Sequence, residues 1–475
     1  MKPHVQEPRS HPPRTRASAA ETLRSVRTVP HRLQPIAGRR HLAAVSSMSF
    51  EDLSAHIPRS APPRVMPHVR PAVRIAYVVD QFPRGSHGFL LQEILELESR
   101  GIDVHIFSLR MPEGRVDDTA CALARLRGPV RYFSEMEGFG NSDGPSIDGA
   151  FHYTFAIDSL GQARMGRGLA ANASRWVANQ VESRDIEHIH AHGATVATDV
   201  AREAARLSGR GYSFTAYADG LYEDANEPTL CDKVLNARFA VTLSDCDRRR
   251  LIKIGGASAA SKVHRIPISV SPDDYRFSTA GRLDSDSILA IGPLVEKSGF
   301  TDLIEAVGIL RDRGRVARLT ILGDGEYEET LREQIERCRL AGRIQIVGGL
   351  SQGELGMLMQ AHTALVLPWV ADDCDREVLA NVVLEAMAVG LVVLSTDVPG
   401  IRELIDDGMS GRVISPRDPL WLAGALETLF DSPELRGRMA ARARSRVSRM
   451  FTASRNVSQL GRLFVRTVAR SGLAT

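Results

Sequence analysis

Residues 286–325 read DSILAIGPLVEKSGFTDLIEAVGILRDRGRVARLTILGDG. Ile288–Ile291 is a short unbroken apolar run, Thr301–Arg313 carries apolar residues at helical spacing, and Leu319–Leu322 is a second short run. Apolar runs too short to alternate, separated by a helix, are what a parallel strand buried on both faces leaves in a sequence. The rhythm continues through helical Glu326–Leu340, strand Ile344–Val347, helical Glu354–Ala361, strand Ala364–Leu367, helical Val382–Val389 and strand Val392–Leu394. Ser351-x-x-Glu354 is a capping box at one helix start. The segment predicts a parallel sheet covered on both faces.

Working outward, the same alternation begins near residue 73. Val73–Val79 and Val104–Leu109 are strand-like around a helix at Phe89–Arg100. Ile186–His190 and Gly211–Ala216 flank a helix at Val196–Leu207, and Ala240–Leu243 leads to Ser244, a residue suited to cap a helix. Residues 138–148 read as an exposed loop, Phe277–Asp286 as a linker, and the chain after Asp418 as C-terminal helices. The predicted fold is α/β, two Rossmann-like domains facing a cleft. The expected divisions are 1–71, 72–280, 281–450, and 451–475 as a helix crossing back. Such sheets bind ligands in the crevice at the carboxyl ends of their strands.

Composition narrows the field. With 43% hydrophobic and 25% charged residues the chain is globular. Its longest apolar runs, Thr363–Pro368 and Leu391–Ser395, fall far short of the ~20 residues of a membrane span, so a cytoplasmic protein is expected. The net charge of +3 comes from residues 1–71, with 12 Lys+Arg against 4 Asp+Glu; the rest carries 48 against 53. An acidic body argues against a nucleic-acid partner. Cys121, Cys231, Cys246, Cys338 and Cys374 lack metal or disulfide spacing and read as reduced thiols. Residues 1–71 lack hydrophobic periodicity and a signal-peptide core, and read as a disordered extension. A transit peptide, or a start at Met48 or Met66, stays open.

The stretch Asp375-Arg-Glu377-Val-Leu-Ala-Asn381-Val-Val-Leu-Glu385 carries the most chemistry. Glu377 is placed in a loop after a strand, and Glu385 in the second or third turn of the next helix. Eight helical steps span about 12 Å, which suits a sugar at one carboxylate and a ribose at the other. A helix start near Asn381 would offer free N–H groups to a diphosphate between them. Alone, two glutamates eight apart mean little.

This stretch, with Gly390-Leu-Val-Val-Leu-Ser-Thr-Asp-Val-Pro-Gly400-Ile-Arg-Glu403, resembles the signature of the retaining family-four glycosyltransferases, of GT-B fold, closest to exopolysaccharide members of the colanic-acid type. Val73-Arg-Ile-Ala-Tyr-Val-Val, Ile189-His-Ala-His192, Ser213-Phe-Thr-Ala216, Val295-Glu-Lys-Ser-Gly-Phe300 and Leu322-Gly-Asp-Gly325 extend the resemblance over most of residues 73–450. It implies transfer of a sugar from a nucleotide-diphosphate donor, bound by the second domain, to a glycan or lipid-linked acceptor, bound by the first. No cofactor and no obligatory metal are implied. Glu377 would hold the donor sugar and Glu385 the ribose. Lys297, Asn381 and backbone amides at Gly88 and Gly292 would assist the leaving diphosphate, Gly323 would line the donor site, and Tyr217 would face the sugar. Arginine clusters at 248–250 and 439–449 could touch anionic lipid at the inner membrane surface.

The departures are specific. The family's Gly-Arg-Leu-x-x-x-Lys-Gly reads Gly292-Pro293-Leu294-Val295-Glu296-Lys297-Ser298-Gly299, without Arg and with Lys one position early. Loss of such charge costs about 100- to 1000-fold in rate. Tyr217 replaces a His, and with a pKa near ~10 is a poor base at neutral pH; Gly220 replaces an Asp. Ser86-His87-Gly88-Phe89 lacks an acid, and the family's Glu-Gly-x-Pro reads Glu377-Val378-Leu379-Ala380, which would strain Val378 if the Gly has positive φ. These changes keep a second reading open, a catalytically impaired scaffold or binding subunit. The Gly323-Asp-Gly325 turn suits a nucleotide or an ordinary strand–helix junction, and His190 with His192 suits a metal or the sheet interior. A nicotinamide enzyme is disfavoured, because Asp80-Gln-Phe-Pro-Arg-Gly85 is not G-x-G-x-x-G.

Overall fold

The computed structural model describes residues 73–83, 88–111, 123–133, 156–157, 163–164, 167–217, 220–222, 226–278, 286–348, 350, 352–370 and 376–472. The expectations for residues 1–71, the 138–148 loop, Ser351, His87, Asp219, Cys121, Cys374 and most of the linker lie outside them. All described residues belong to the unit Met66–Thr475.

The first sheet is built from β1 (Val73–Gln81), β2 (Ile102–Arg110) and β3 (Val130–Tyr132); β4 (Ala156–Ile157) and β5 (Ala163–Arg164) form a separate small hairpin. It continues with β6 (His188–His192), β7 (Gly211–Ala216), β8 (Ala240–Thr242) and β9 (Val263–Arg265), in the order β3-β2-β1-β6-β7-β8-β9. All its pairings are parallel. The helices between are α1 (Gly88–Ser99), α2 (Arg167–Ser183), α3 (Val196–Ser208), α4 (Glu227–Asn236), α5 (Asp245–Gly255) and α6 (Ala257–Ala260).

The second sheet comprises β10 (Ser287–Ile291), β11 (Arg318–Leu322), β12 (Ile344–Val347), β13 (Ala364–Leu367), β14 (Val392–Thr396) and β15 (Arg412–Ile414), in the order β12-β11-β10-β13-β14-β15 and again parallel. Its helices are α7 (Phe300–Asp312), α8 (Glu328–Arg337), α9 (Gln352–Ala361), α10 (Arg376–Val389), α11 (Ile401–Leu404) and α12 (Pro419–Asp431), followed by α13 (Pro433–Met450) and α14 (Ala453–Gly472).

Strand alternation explains the layers. Ala76 and Val78 of β1 pack in a cluster with Val177, Val200 and Phe214, and Ile288 and Ala290 of β10 in one with Val307, Leu310 and Leu426. The opposite faces, through Ile75 and Tyr77 and through Leu289 and Ile291, join a single cluster that also takes in residues of α10, α13 and α14. Local chemistry sets the helix ends. Ser244 accepts from the Asp247 amide at 3.0 Å to cap α5, Asp418 caps α12 by accepting from Trp421 N at 2.8 Å, and Gly209, at φ 65°, stops α3. From α14, Phe464 lies 6.2 Å ring to ring from Tyr77 and 5.2 Å from His190, so this helix packs on the first sheet.

Candidate functional site

In the second sheet β10 lies beside β13, and the connections leaving them diverge, which opens a crevice at their carboxyl ends. The Gly292–Gly299 loop fills one side of it. Gly292 N donates to Leu322 O at 3.0 Å, and a Cβ on Gly323 would meet Gly292 O at 1.9 Å. Close packing of neighbouring turns therefore demands Gly323. Gly299, at φ +68°, would place a Cβ 1.9 Å from Pro368 O, and Val370 N donates to Lys297 O at 3.0 Å. The two loops at the crevice are thus stitched together. Ser298 is wholly buried and its hydroxyl donates to Pro293 O at 2.6 Å, so the position where the family carries Lys is turned inward. Lys297, half-buried, sits in the single turn Glu296–Ser298 ahead of α7.

The expected start of α10 needs correction. The helix begins at Arg376, not near Val382, so Glu377 lies in its first turn and not in a loop, and Asn381 lies inside the helix, away from the free N–H groups of its start. The reason is local: Glu377-Val-Leu-Ala380 has neither Gly nor Pro to interrupt a helix. Val378 is accordingly helical and carries none of the strain expected of it. Asn381 and Glu385 share one helix face at four-residue spacing. Asn381 and Glu385 are half-buried between the buried Val382–Leu384 and Ala386–Val389.

At the first sheet's carboxyl edge, Gly88 opens α1 and Tyr217 follows β7. The Tyr217 ring stands edge-on to Phe89 at 6.1 Å and 6.1 Å from His192. A Cβ on Gly220 would come within 2.9 Å of the Ala194 backbone, which explains why no acidic side chain stands there. β6 extends through His192, two residues beyond the expected strand. His188 and His190 both contact Ser213 Oγ, at 2.7 and 2.8 Å, and His190 also contacts Thr215 Oγ1 at 3.0 Å. His192 Nε2 and the Tyr77 hydroxyl both bond Glu93, at 2.9 and 2.8 Å. Burial, then Arg238, brings His188 down to about 3; burial, then His192 and His188, holds His190 well below its usual value. Burial, reinforced by Glu93, raises the Tyr77 hydroxyl. Glu93, His190 and His192 offer ligand atoms within 4.8 Å of one another and so could hold a metal ion. Glu93 bonds His192, and Ser213 and Thr215 bond His190, while His192 Nδ1 is buried without a hydrogen-bond partner among the described residues.

Tyr217 and Ala380 line the same cavity, closed by Leu243, Ile268, Ile401 and Phe451. Its three charged residues, Asp247, Arg265 and Glu403, were not anticipated. Glu403 of α11 accepts from Asp245 N at 2.9 and 3.0 Å and from Cys246 N at 3.4 Å, and pairs with Arg265 at 2.9 Å. A carboxylate on the α5 N-terminus suits the helix dipole. This contact spans 158 positions of sequence, so no local pattern announces it.

Paired parallel Rossmann-like sheets, with candidate groups at the carboxyl edges of both, have the GT-B fold. Residues 272–446 match the family Glycosyl transferases group 1. The chain is 25% identical over 408 residues to the colanic acid biosynthesis glycosyltransferase WcaL of Salmonella typhimurium, covering 82% of this chain and 99% of that one. Alpha-D-kanosaminyltransferase of Streptomyces kanamyceticus is 30% identical over 215 residues, 43% of this chain and 54% of that protein, so the match spans about half the relative's length. The crystal structure of Anabaena HepE in complex with UDP aligns at a TM-score of 0.62 and 19% identity, over 82% of this chain and 99% of that one. Another HepE structure contains UDP-glucose. Among the described residues, no helix is long and apolar enough to cross a membrane.

Proposed function

We propose that the chain transfers a hexose, with retention, from a nucleotide-diphosphate sugar to a glycan or lipid-linked acceptor in exopolysaccharide assembly, in the cytoplasm and peripheral to the inner membrane. One observation carries the reading: Asn381 and Glu385 share a face of α10, whose first turn contains Glu377, beside the crevice of the second sheet. About 12 Å separates Glu377 and Glu385 along the axis, room for a sugar, a diphosphate and a ribose. The names of WcaL and of the UDP-glucose complex support the same donor class and setting. In this reading Glu377 holds the donor sugar and Glu385 the ribose. Lys297 supplies the positive charge at the diphosphate, joined by amides near Gly88 and Gly292 and by those of the first turn of α10. Gly323 lets the neighbouring turn pass close by, and Tyr217 faces the acceptor across the cavity. No metal or cofactor takes part.

The inward-turned Ser298 favours a second reading, an impaired transferase that binds nucleotide without turnover. The test is donor hydrolysis and transfer with a panel of UDP- and GDP-sugars. Glu377→Gln is expected to lower turnover at least about 100-fold, and Glu385→Gln to weaken nucleotide binding about 10- to 100-fold, the worth of a charged hydrogen bond. Unchanged nucleotide affinity in the double variant would remove the proposed donor site. Nucleotide binding with no turnover, and none regained by Pro293→Arg with Ser298→Lys, would leave the second reading standing.

A further inference from the structure

Helix α14 carries Arg455, Arg462, Arg466 and Arg470 and no Asp or Glu. All four arginines are exposed, and at 100° per residue they fall within about 80° of arc. Among the described residues none of the four has a carboxylate partner; Arg455 donates only to the Arg449 carbonyl, at 3.3 Å. Its exposed neighbour Arg449 turns to a backbone carbonyl as well. The nearest acid on α1, Glu96, is held by Arg100 at 2.6 Å.

Like charges four apart destabilise a helix, and this helix repeats them at 462, 466 and 470 without relief. Other exposed arginines do pair, as Arg332 does with Glu328 and Arg402 with Asp397. The opposite face of α14 is committed to the core through Val457, Leu460 and Phe464. The basic face therefore looks outward as a straight stripe about 22 Å long.

We infer that this stripe docks on an anionic phospholipid surface. Two features favour lipid over other polyanions. Val465, 43% exposed, and the exposed Ala469 lie along one edge of the arginine arc, so the face can lower apolar side chains into the headgroup layer while guanidinium groups reach phosphate. No aromatic side chain is exposed on it to stack with bases. Because α14 packs on the first sheet, docking would hold the edge bearing Tyr217 near the surface where a lipid-linked acceptor lies. That consequence rests on the proposed function; the docking itself does not.

The test is co-sedimentation of the full chain with vesicles of phosphatidylcholine alone or with 30% phosphatidylglycerol, a readout independent of turnover. Binding is expected only with phosphatidylglycerol and is expected to weaken steeply between about 0.1 and 0.5 M salt. Replacing the four arginines with Gln should weaken it on the order of 100-fold, without lowering the melting temperature, because the repulsion is relieved. Four Arg→Gln changes at Arg9, Arg14, Arg24 and Arg27 serve as the charge-matched control and should change binding less than about twofold. Undiminished binding by the α14 variant, an equal loss in the control, equal binding to both vesicle types, or preference for RNA over vesicles would each overturn the inference.

Discussion

His188 and His190 show how a single side chain can report on the fold. Both are wholly buried and satisfied by neutral hydroxyls, and burial drives both below their ordinary values, His188 to about 3. In the unfolded chain each binds a proton below about pH 6.5. Below that point the unfolded state therefore takes up protons that the folded state refuses. The folded protein keeps its full stability above pH 6.5 and loses it as the pH falls toward 3. Between pH 6.5 and 5 His188 should cost about 1–2 kcal/mol, with His190 acting in the same direction. Urea denaturation at several pH values measures this, and His188→Gln should flatten the curve by roughly its share. Parallel curves for the variant and the parent would mean that His188 is charged in the folded state. The pair His190 and His192 was visible in the sequence as a choice between metal and interior. Glu93, Ser213 and Thr215, which come from other elements, surround the pair with hydrogen-bonding oxygen atoms.

Among the elements, the central strands were legible because parallel strands buried on both faces are continuous apolar runs: Ile288–Ile291 and Leu319–Leu322 stand within one residue of their ends. Three-residue strands such as β9 and β15 were not, since so short an edge carries no pattern. The start of α10 was misplaced for a different reason. Motif resemblance placed a break where the residues present, Glu377-Val-Leu-Ala380, continue a helix. Restoring the motif tests the consequence. In Val378→Gly with Ala380→Pro, proline removes an amide from the first turn and clashes with the carbonyl four residues back, a penalty of about 3 kcal/mol inside a helix. The first turn should unwind, the helix should start at residue 380, and free N–H groups should move next to Asn381. Calorimetry with UDP should then show several-fold tighter binding, with faster amide exchange confined to 376–379. An intact protein with unchanged or weaker UDP affinity would show that the extended turn does not limit the donor site.

On the scale of the whole molecule, two sheets with separate outer cores are tied by a few long-range contacts. The Val270 amide donates to Phe451 O at 2.9 Å. The Glu403 carboxylate joins α11 to the α5 N-terminus and to Arg265. Of these, the Glu403–Arg265 pair places charges in the cavity lined by Tyr217 and Ala380. The role of Glu403 was invisible in a sequence that displayed it plainly at the end of a motif, because its partners lie some 150 residues upstream. Glu403→Ala would leave two backbone amides and a guanidinium without their acceptor, a loss of about 1–3 kcal/mol for a partly buried charged group. Glu403→Gln keeps an acceptor oxygen but not the charge, and should lose about half as much. If the contact also holds Tyr217 opposite α10, the alanine variant should lose donor turnover beyond its loss of stability, while nucleotide affinity in the second domain stays near that of the parent. Urea midpoints and turnover measured on the same preparations separate the two effects. A midpoint within about 0.5 kcal/mol of the parent would reduce the Glu403 contact to a surface ion pair, and the apposition of the two sheets would then have to rest on the apolar cluster and the helix α13–α14 crossing.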